Sequence, residues 1–267
     1  MKIWKIALNT FGGFLRDRLL IVFAVLFACT VLLMMTPLLG AKAIAKAGSA
    51  SQAEIMVLGM VSAIMFFVSG TGSLLAAWCA ASSVAGEMKT GTILAVMARP
   101  VKRWEFLLGK YLGVMLLMSI YVVMMFGLSW LLAWIGGEKI HSATWVLLAY
   151  PMVRYALYSA TAMALVTVLH PVVTMGITMI IAVAALIVAP TGQAITGNVK
   201  YLKIPLWVLL PSTSLLSEER FLAITQASLK PISWLEHITT LSYGLDYALV
   251  LLLVAMWVFH YQSLTRD

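Results

Sequence analysis

The run from Ser82 to Lys110 is the part of this sequence where charged and conformationally special residues are densest. Glu87, Lys89, Arg99, Lys102, Arg103, Glu105 and Lys110 alternate there with Gly91-Thr92, Pro100, Trp104 and Gly109. These residue types offer ion pairs and hydrogen bonds to a partner surface, with glycine and proline setting the chain path. They do not offer nucleotide chemistry. A phosphate-cradling loop needs Gly-x-x-x-x-Gly-Lys-Ser/Thr, whereas Gly109-Lys110 is followed by Tyr111 and has Trp104 where the first glycine would stand.

Other constellations point away from catalysis. His141, His170, His237 and His260 are scattered, without the i, i+4 spacing that places two ligands on one helix face. Gly70-Thr71-Gly72-Ser73 resembles a serine site only superficially. Ser69, Ser73, Ala77 and Ala81 recur every four residues, the pattern of a small-residue face for close helix packing. The 17 methionines lie mostly singly in apolar runs, as do Cys29 and Cys79, and read as packing residues and not as metal ligands. No cofactor or metal is expected in this chain.

The elements that would carry the polar run are set by composition. Of 267 residues, 63% are hydrophobic and 10% charged, against about 25% charged in soluble domains. That excludes a soluble enzyme, a disordered chain and a disulfide scaffold. The formal charge of +8 follows basic residues placed beside apolar runs, so nucleic acid is not an expected partner; the lipid bilayer is. Crossing a hydrocarbon core takes roughly 20 helical residues. Continuous apolar runs without strand alternation predict an all-α, polytopic membrane protein with six transmembrane helices: 19–35, 55–81, 111–135, 143–169, 172–189 and about 241–261. The first run is expected to be a retained span and not a removed leader. All of 1–267 reads as a single transmembrane domain.

Lys2, Lys5, Arg16, Arg18, Lys89, Arg99, Lys102, Arg103, Lys110 and Arg266 fall on one face, and seven basic residues fall on the other, four of them in one long loop. The richer face is expected to be cytoplasmic, with both termini there, in the inner (cytoplasmic) membrane. Residues 1–17 read as an interfacial amphipathic helix, with Ile3, Trp4, Ala7, Leu8, Phe11, Phe14 and Leu15 opposite Lys2, Lys5 and Asn9. Residues 190–241 read as an outer loop with short helices in the outer leaflet, since 201–210 is apolar but too short to cross and Ser217-Glu218-Glu219 has the form of a helix start. Residues 82–105 read as a cytoplasmic loop with a short helix from about Thr92 to Ala98, stopped by Pro100.

In identity and spacing, Glu87, Gly91-Thr92, Arg99-Pro100-Val101, Arg103 and Gly109-Lys110 resemble the signature of type-2 ABC transporter permeases. The match covers about 25 residues as a motif. Span number, a long last outer loop and the N-terminal amphipathic segment agree along the rest of the chain. The resemblance implies a membrane subunit of an exporter, paired with a second copy or a related permease. It also implies two cytoplasmic ATPase subunits that bind ATP and Mg. It makes 82–105 the coupling loop, with Glu87, Lys89, Gly91, Thr92, Arg99, Pro100 and Arg103 meeting the ATPase or holding the loop's shape, and Trp104 and Lys110 anchoring it at the interface. It further implies a subunit contact through the first and fifth spans, for which Thr174, Gly176 and Thr178 are candidates. Without the motif, the basic residues would be explained equally by topology and anionic lipid.

Two charges fall within spans. Arg154 and Asp246 are read as an intramembrane pair, or Arg154 as a contact for an anionic substrate group, with a snorkelling structural arginine a third alternative. Besides the exporter subunit, a membrane anchor or assembly subunit that docks an ATPase without transport is the competing class, and a multi-pass membrane enzyme is the weakest.

Overall fold

A computed structural model describes residues 2–16, 21, 24, 25, 28, 70–87, 102–136, 146–198 and 234–261. Among the described residues the chain is helical and contains no strand. The elements are α1 (Lys2–Leu15), α2 (70–87), α3 (Arg103–Gly136), α4 (Val146–Val166), α5 (Pro171–Asn198) and α6 (Trp234–Tyr261). Most of the first expected span, of which only 21, 24, 25 and 28 are described, the short helix expected at Thr92–Ala98 and the short outer helices expected at 201–210 and after Ser217 lie outside the described residues.

Helix bounds depart from the hydropathy reading at the water-facing ends, where backbone hydrogen bonding carries the helix past the apolar run. α2 continues through residue 87, the last described before residue 102, and α3 begins at Arg103, so 82–87 and 103–105 of the expected loop are helical and residues 88–102 lie between the described helices. α6 begins at Trp234, seven residues before its apolar core. Among the described residues, two stretches, Arg103–Met125 and Trp234–Tyr261, are long and apolar enough to cross a membrane by length and composition.

α4 is the central helix. Nearly every residue from Val153 to Val166 is buried, which is why its sequence shows no amphipathic stripe. α6 packs extensively along α4, and α3 and α5 also flank it. Buried residues of α2, including Leu75, Ala76, Ala80 and Val84, join Leu117, Met118, Tyr155 and Met163 in one core cluster. Ser73, Ala77 and Ala81, three members of the four-residue small repeat, are all buried. α6 buries only the row His237, Thr240, Gly244, Ala248, Leu252, Ala255 and Phe259, leaving Leu245, Leu249, Leu253 and Trp257 exposed. That apolar outer surface suits contact with hydrocarbon and would be a liability in water.

α5 corrects one expectation. Thr174 and Thr178 are buried within the chain, and the Thr178 hydroxyl donates to the Thr174 carbonyl. They therefore do not form an outer subunit contact surface. A threonine that returns its hydroxyl to its own helix can sit in an apolar interior. Gly176 lies on the opposite, exposed face with Val172, Val173, Met179 and Ile180.

α1 has three faces where the sequence suggested two. Ile3, Ile6, Ala7, Thr10 and Phe14 turn toward α3; Trp4, Leu8 and Leu15 form an exposed apolar row; Lys2, Lys5 and Asn9 form the polar face. The close approach depends on Gly109 and Gly113. A Cβ on Gly109 would stand 2.8 Å from Ile6 Cβ, and one on Gly113 would stand 2.8 Å from the Ala7 carbonyl oxygen. Two glycines four apart make a groove on α3 into which a second backbone can settle.

Gly113→Val should therefore displace α1 at a cost of about 1–3 kcal/mol, read as faster proteolysis near the N-terminus of the purified protein. Gly127→Val, where a Cβ would meet nothing within 4 Å, is the control and should leave the rate unchanged.

Candidate functional site

The sequence motif converges on the end of the bundle where α2 stops and α3 starts. α3 is begun by its own residues: the Lys102 amide donates to Glu105 Oε2 at 3.0 Å, and the Phe106 amide donates to the Lys102 carbonyl at 3.1 Å. A glutamate at the third helical position bonding back to the cap residue is half of a capping box. It fixes where the chain turns from the 88–102 segment into the helix.

Glu87, the last described residue of α2, meets Lys110, two turns into α3. Lys110 Nζ donates to Glu87 Oε1, with the side chains 8% and 25% exposed respectively. The ammonium also lies 5.6 Å from the Phe106 ring centroid. Lys110 thus points inward and is held by a carboxylate and an aromatic face. The pair bolts together the two helices that bracket the 88–102 segment.

Arg103 is committed elsewhere in the fold. Its Nη1 donates to the carbonyls of Phe259 at 3.2 Å and His260 at 2.9 Å. The last carbonyls of a helix have no partners within it, and a cation there is favoured by the helix dipole. Arg103 therefore caps α6 from across 156 residues of sequence. Phe106 stacks on Phe259 beside it, with centroids 6.2 Å apart. Trp104 is 43% exposed, a position from which an indole can reach a headgroup layer. Lys89, Gly91, Thr92, Arg99 and Pro100 lie outside the described residues.

A second polar group occupies the centre of the bundle. Thr71 and Tyr121 share a hydrogen bond of 2.9 Å, Tyr121 packs edge-on against Tyr155, and the Arg154 guanidinium lies 5.6 Å from the Tyr158 ring centroid. A Cβ on Gly72 would overlap the Tyr155 hydroxyl and ring, so a glycine is required for α2 to pass. Tyr111 donates to the Ala156 carbonyl at 3.1 Å. Arg154 is 1% exposed while Asp246 faces outward on α6, and no ion pair joins them. Of the readings open for Arg154, the pair with Asp246 is thereby withdrawn: the two side chains point to different environments. Toward the opposite end, Tyr150 and His237 hydrogen bond at 2.7 Å and tie the start of α4 to the start of α6.

Sequence reasoning gathered Glu87, Arg103 and Lys110 but neither the pairing of Glu87 with Lys110 nor the partners of Arg103. Opposite charges closing a short segment were a usable sign for Glu87 and Lys110. Nothing local signals that Arg103 reaches the end of α6. The tyrosines were obscured by apolar neighbours, although Tyr111, Tyr121, Tyr155 and Tyr158 are all polar handles inside spans.

Lys110→Met leaves the Glu87 carboxylate part-buried and unpaired, so thermal unfolding in detergent should show a loss of about 3 kcal/mol. The double variant with Glu87→Gln should recover much of it. Arg103→Gln should raise hydrogen exchange at residues 258–261 while leaving the middle of α6 protected.

The sequence matches the model of the family described as ABC-2 family transporter protein over residues 4–264. It is also 29% identical over 168 residues to the probable ABC transporter permease protein NosY of Stutzerimonas stutzeri, a match covering 57% of this chain and 58% of that relative. The chain therefore aligns with less than two thirds of the relative's length. A chain that is helical over its described residues, carries membrane-length apolar helices and matches the family model along nearly its whole length belongs to the ABC-2 family of transporter proteins, as a membrane-embedded member.

Proposed function

We propose that this permease is the membrane-spanning subunit of an ATP-binding-cassette exporter, in which a separate cytoplasmic ATPase drives movement of the spans. The observation that carries the reading is the bracing of the 88–102 segment. Glu87 and Lys110 join its two flanking helices, and Arg103 joins its end to α6. A segment braced in this way cannot yield independently of the helices, so a push on it becomes a displacement of spans. Free loop ends would dissipate the same push as local motion.

The reading includes the finer expectations of topology. Six spans with both termini and the 88–102 segment on the cytoplasmic side follow from the distribution of lysine and arginine. Two permease chains, identical or related, would work with two ATPase subunits that bind ATP and Mg in the cell's inner membrane. Lys89, Gly91, Thr92, Arg99 and Pro100 are assigned to the ATPase contact. Glu87, Lys110 and Arg103 are positioning residues that act through the fold. The substrate is unidentified; the buried tyrosines around Arg154 would face its path only if the helices part during the cycle.

The test is co-purification with a cytoplasmic ABC ATPase subunit co-expressed with this chain, followed by ATPase assays in liposomes. Arg99→Ala should lower ATPase recovery several-fold. Arg103→Gln should leave recovery intact but lower transport per ATP hydrolysed. Undiminished recovery with Arg99→Ala would overturn the assignment of Arg99 to the ATPase contact, and ATPase recovery with hydrolysis indifferent to the permease would favour an anchoring subunit without transport.

A further inference from the structure

α6 carries a carboxylate where a bilayer tolerates it least. Trp234 and Trp257 both project from its outer surface, and at 1.5 Å per residue they stand about 35 Å apart along the helix. That spacing suits two indoles at opposite headgroup layers, with a hydrocarbon core of roughly 30 Å between them. Asp246 lies midway between the two tryptophans and is exposed, among Leu245, Leu249 and Val250. It has neither a hydrogen bond nor an ion pair among the described residues. An acid at mid-depth that faces outward from its own bundle is costly to leave in lipid, and a cation supplied from elsewhere offsets that cost.

The residues on either side of Asp246 form a seam. Thr239, Ser242, Asp246, Leu249 and Leu253 recur in alternating steps of three and four and are all exposed, with Trp257 one turn beyond. This is the spacing with which one helix meets another along its length. The hydroxyls of Thr239 and Ser242 donate to the carbonyls of Glu236 and Thr239 in their own helix, each at 3.1 Å, so Asp246 is the group on the seam that still calls for a donor. Charge decides what the seam receives. This chain offers no cation at that depth: Arg154 is buried inside the bundle, and its other lysines and arginines lie outside the apolar runs. A second copy using the same face would bring two Asp246 carboxylates to one depth across a two-fold contact, where like charges repel. We propose that this face of α6 receives a transmembrane helix of a different polypeptide, one that carries a lysine or arginine at mid-depth, and that Asp246 selects it.

The surface is independent of the exporter reading; it requires only that the chain sits in a bilayer. Full-length protein, labelled at its C-terminus, is reconstituted in phosphatidylcholine vesicles with synthetic tryptophan-flanked leucine helices that carry lysine, leucine or glutamate at their centre. Association is read by energy transfer to a fluorophore on the peptide. The lysine peptide should associate about tenfold more tightly than the leucine peptide, and the glutamate peptide no more tightly than leucine. Asp246→Asn should bring the lysine peptide down to the leucine level while the unfolding temperature in detergent stays unchanged, because the side chain is exposed in its own fold. Asp246→Asn combined with Leu245→Asp turns the carboxylate about 100° around the helix and should not restore binding. Equal association of the lysine and leucine peptides, undiminished binding with Asp246→Asn, or recovery in the double variant overturns the proposal. Loss of energy transfer between two permease copies on Asp246→Asn overturns the assignment of the face to a different polypeptide.

Discussion

A lysine and a glutamate drawn into the end of an apolar bundle must neutralise each other, because neither charge can be left alone at low dielectric. That requirement fixes the geometry around Glu87 and Lys110. It determines the distance between the end of α2 and the start of α3, hence the span that residues 88–102 must bridge. It turns Lys110 inward over Phe106, which in turn places Phe106 against Phe259. With α3 so oriented, Arg103 meets the terminal carbonyls of α6, and the Gly109–Gly113 groove faces α1. One part-buried pair therefore correlates the positions of four helices.

The interior of the bundle follows the same rule with neutral groups. α4 is enclosed on nearly all sides, yet carries Arg154, Tyr155, Tyr158 and Ser159. The serine hydroxyl donates to the Tyr155 carbonyl at 2.7 Å, and Tyr111 reaches the Ala156 carbonyl on the same helix. Rings and backbone carbonyls thus furnish the polar environment that water would supply elsewhere. Small residues on α2 admit the tyrosine rings, most visibly at Gly72. Polar groups within spans are costly to keep, so each must find such a partner.

Helical class and membrane residence were legible from composition, and family membership from the Glu87-to-Lys110 motif, because both are local properties of the chain. The small-residue row Ser73, Ala77, Ala81 was legible for the same reason: a four-residue repeat maps directly onto one helix face. What sequence could not reveal were contacts determined by tertiary approach. Thr174 and Thr178 looked like an adhesive outer face, and only the position of α4 shows them to be interior. Arg154 and Asp246 looked like a pair because they are the two charges near their depth, but helix rotation about its axis points them apart. Rotation is also what split α1 into three faces, since a one-dimensional pattern does not say which apolar row meets protein and which meets lipid.

α6 is gripped near both extremities, by Tyr150 through His237 at its beginning and by Arg103 at its last carbonyls. At 1.5 Å per residue its 28 residues extend about 42 Å. An unbroken helix of that length resists compression and bends little. It therefore has the mechanics of a connecting rod: an axial shift imposed at one end arrives at the other with little attenuation. The imidazole–phenol junction then marks the far bearing of that rod, where a few tenths of an ångström would suffice to make or break a hydrogen bond.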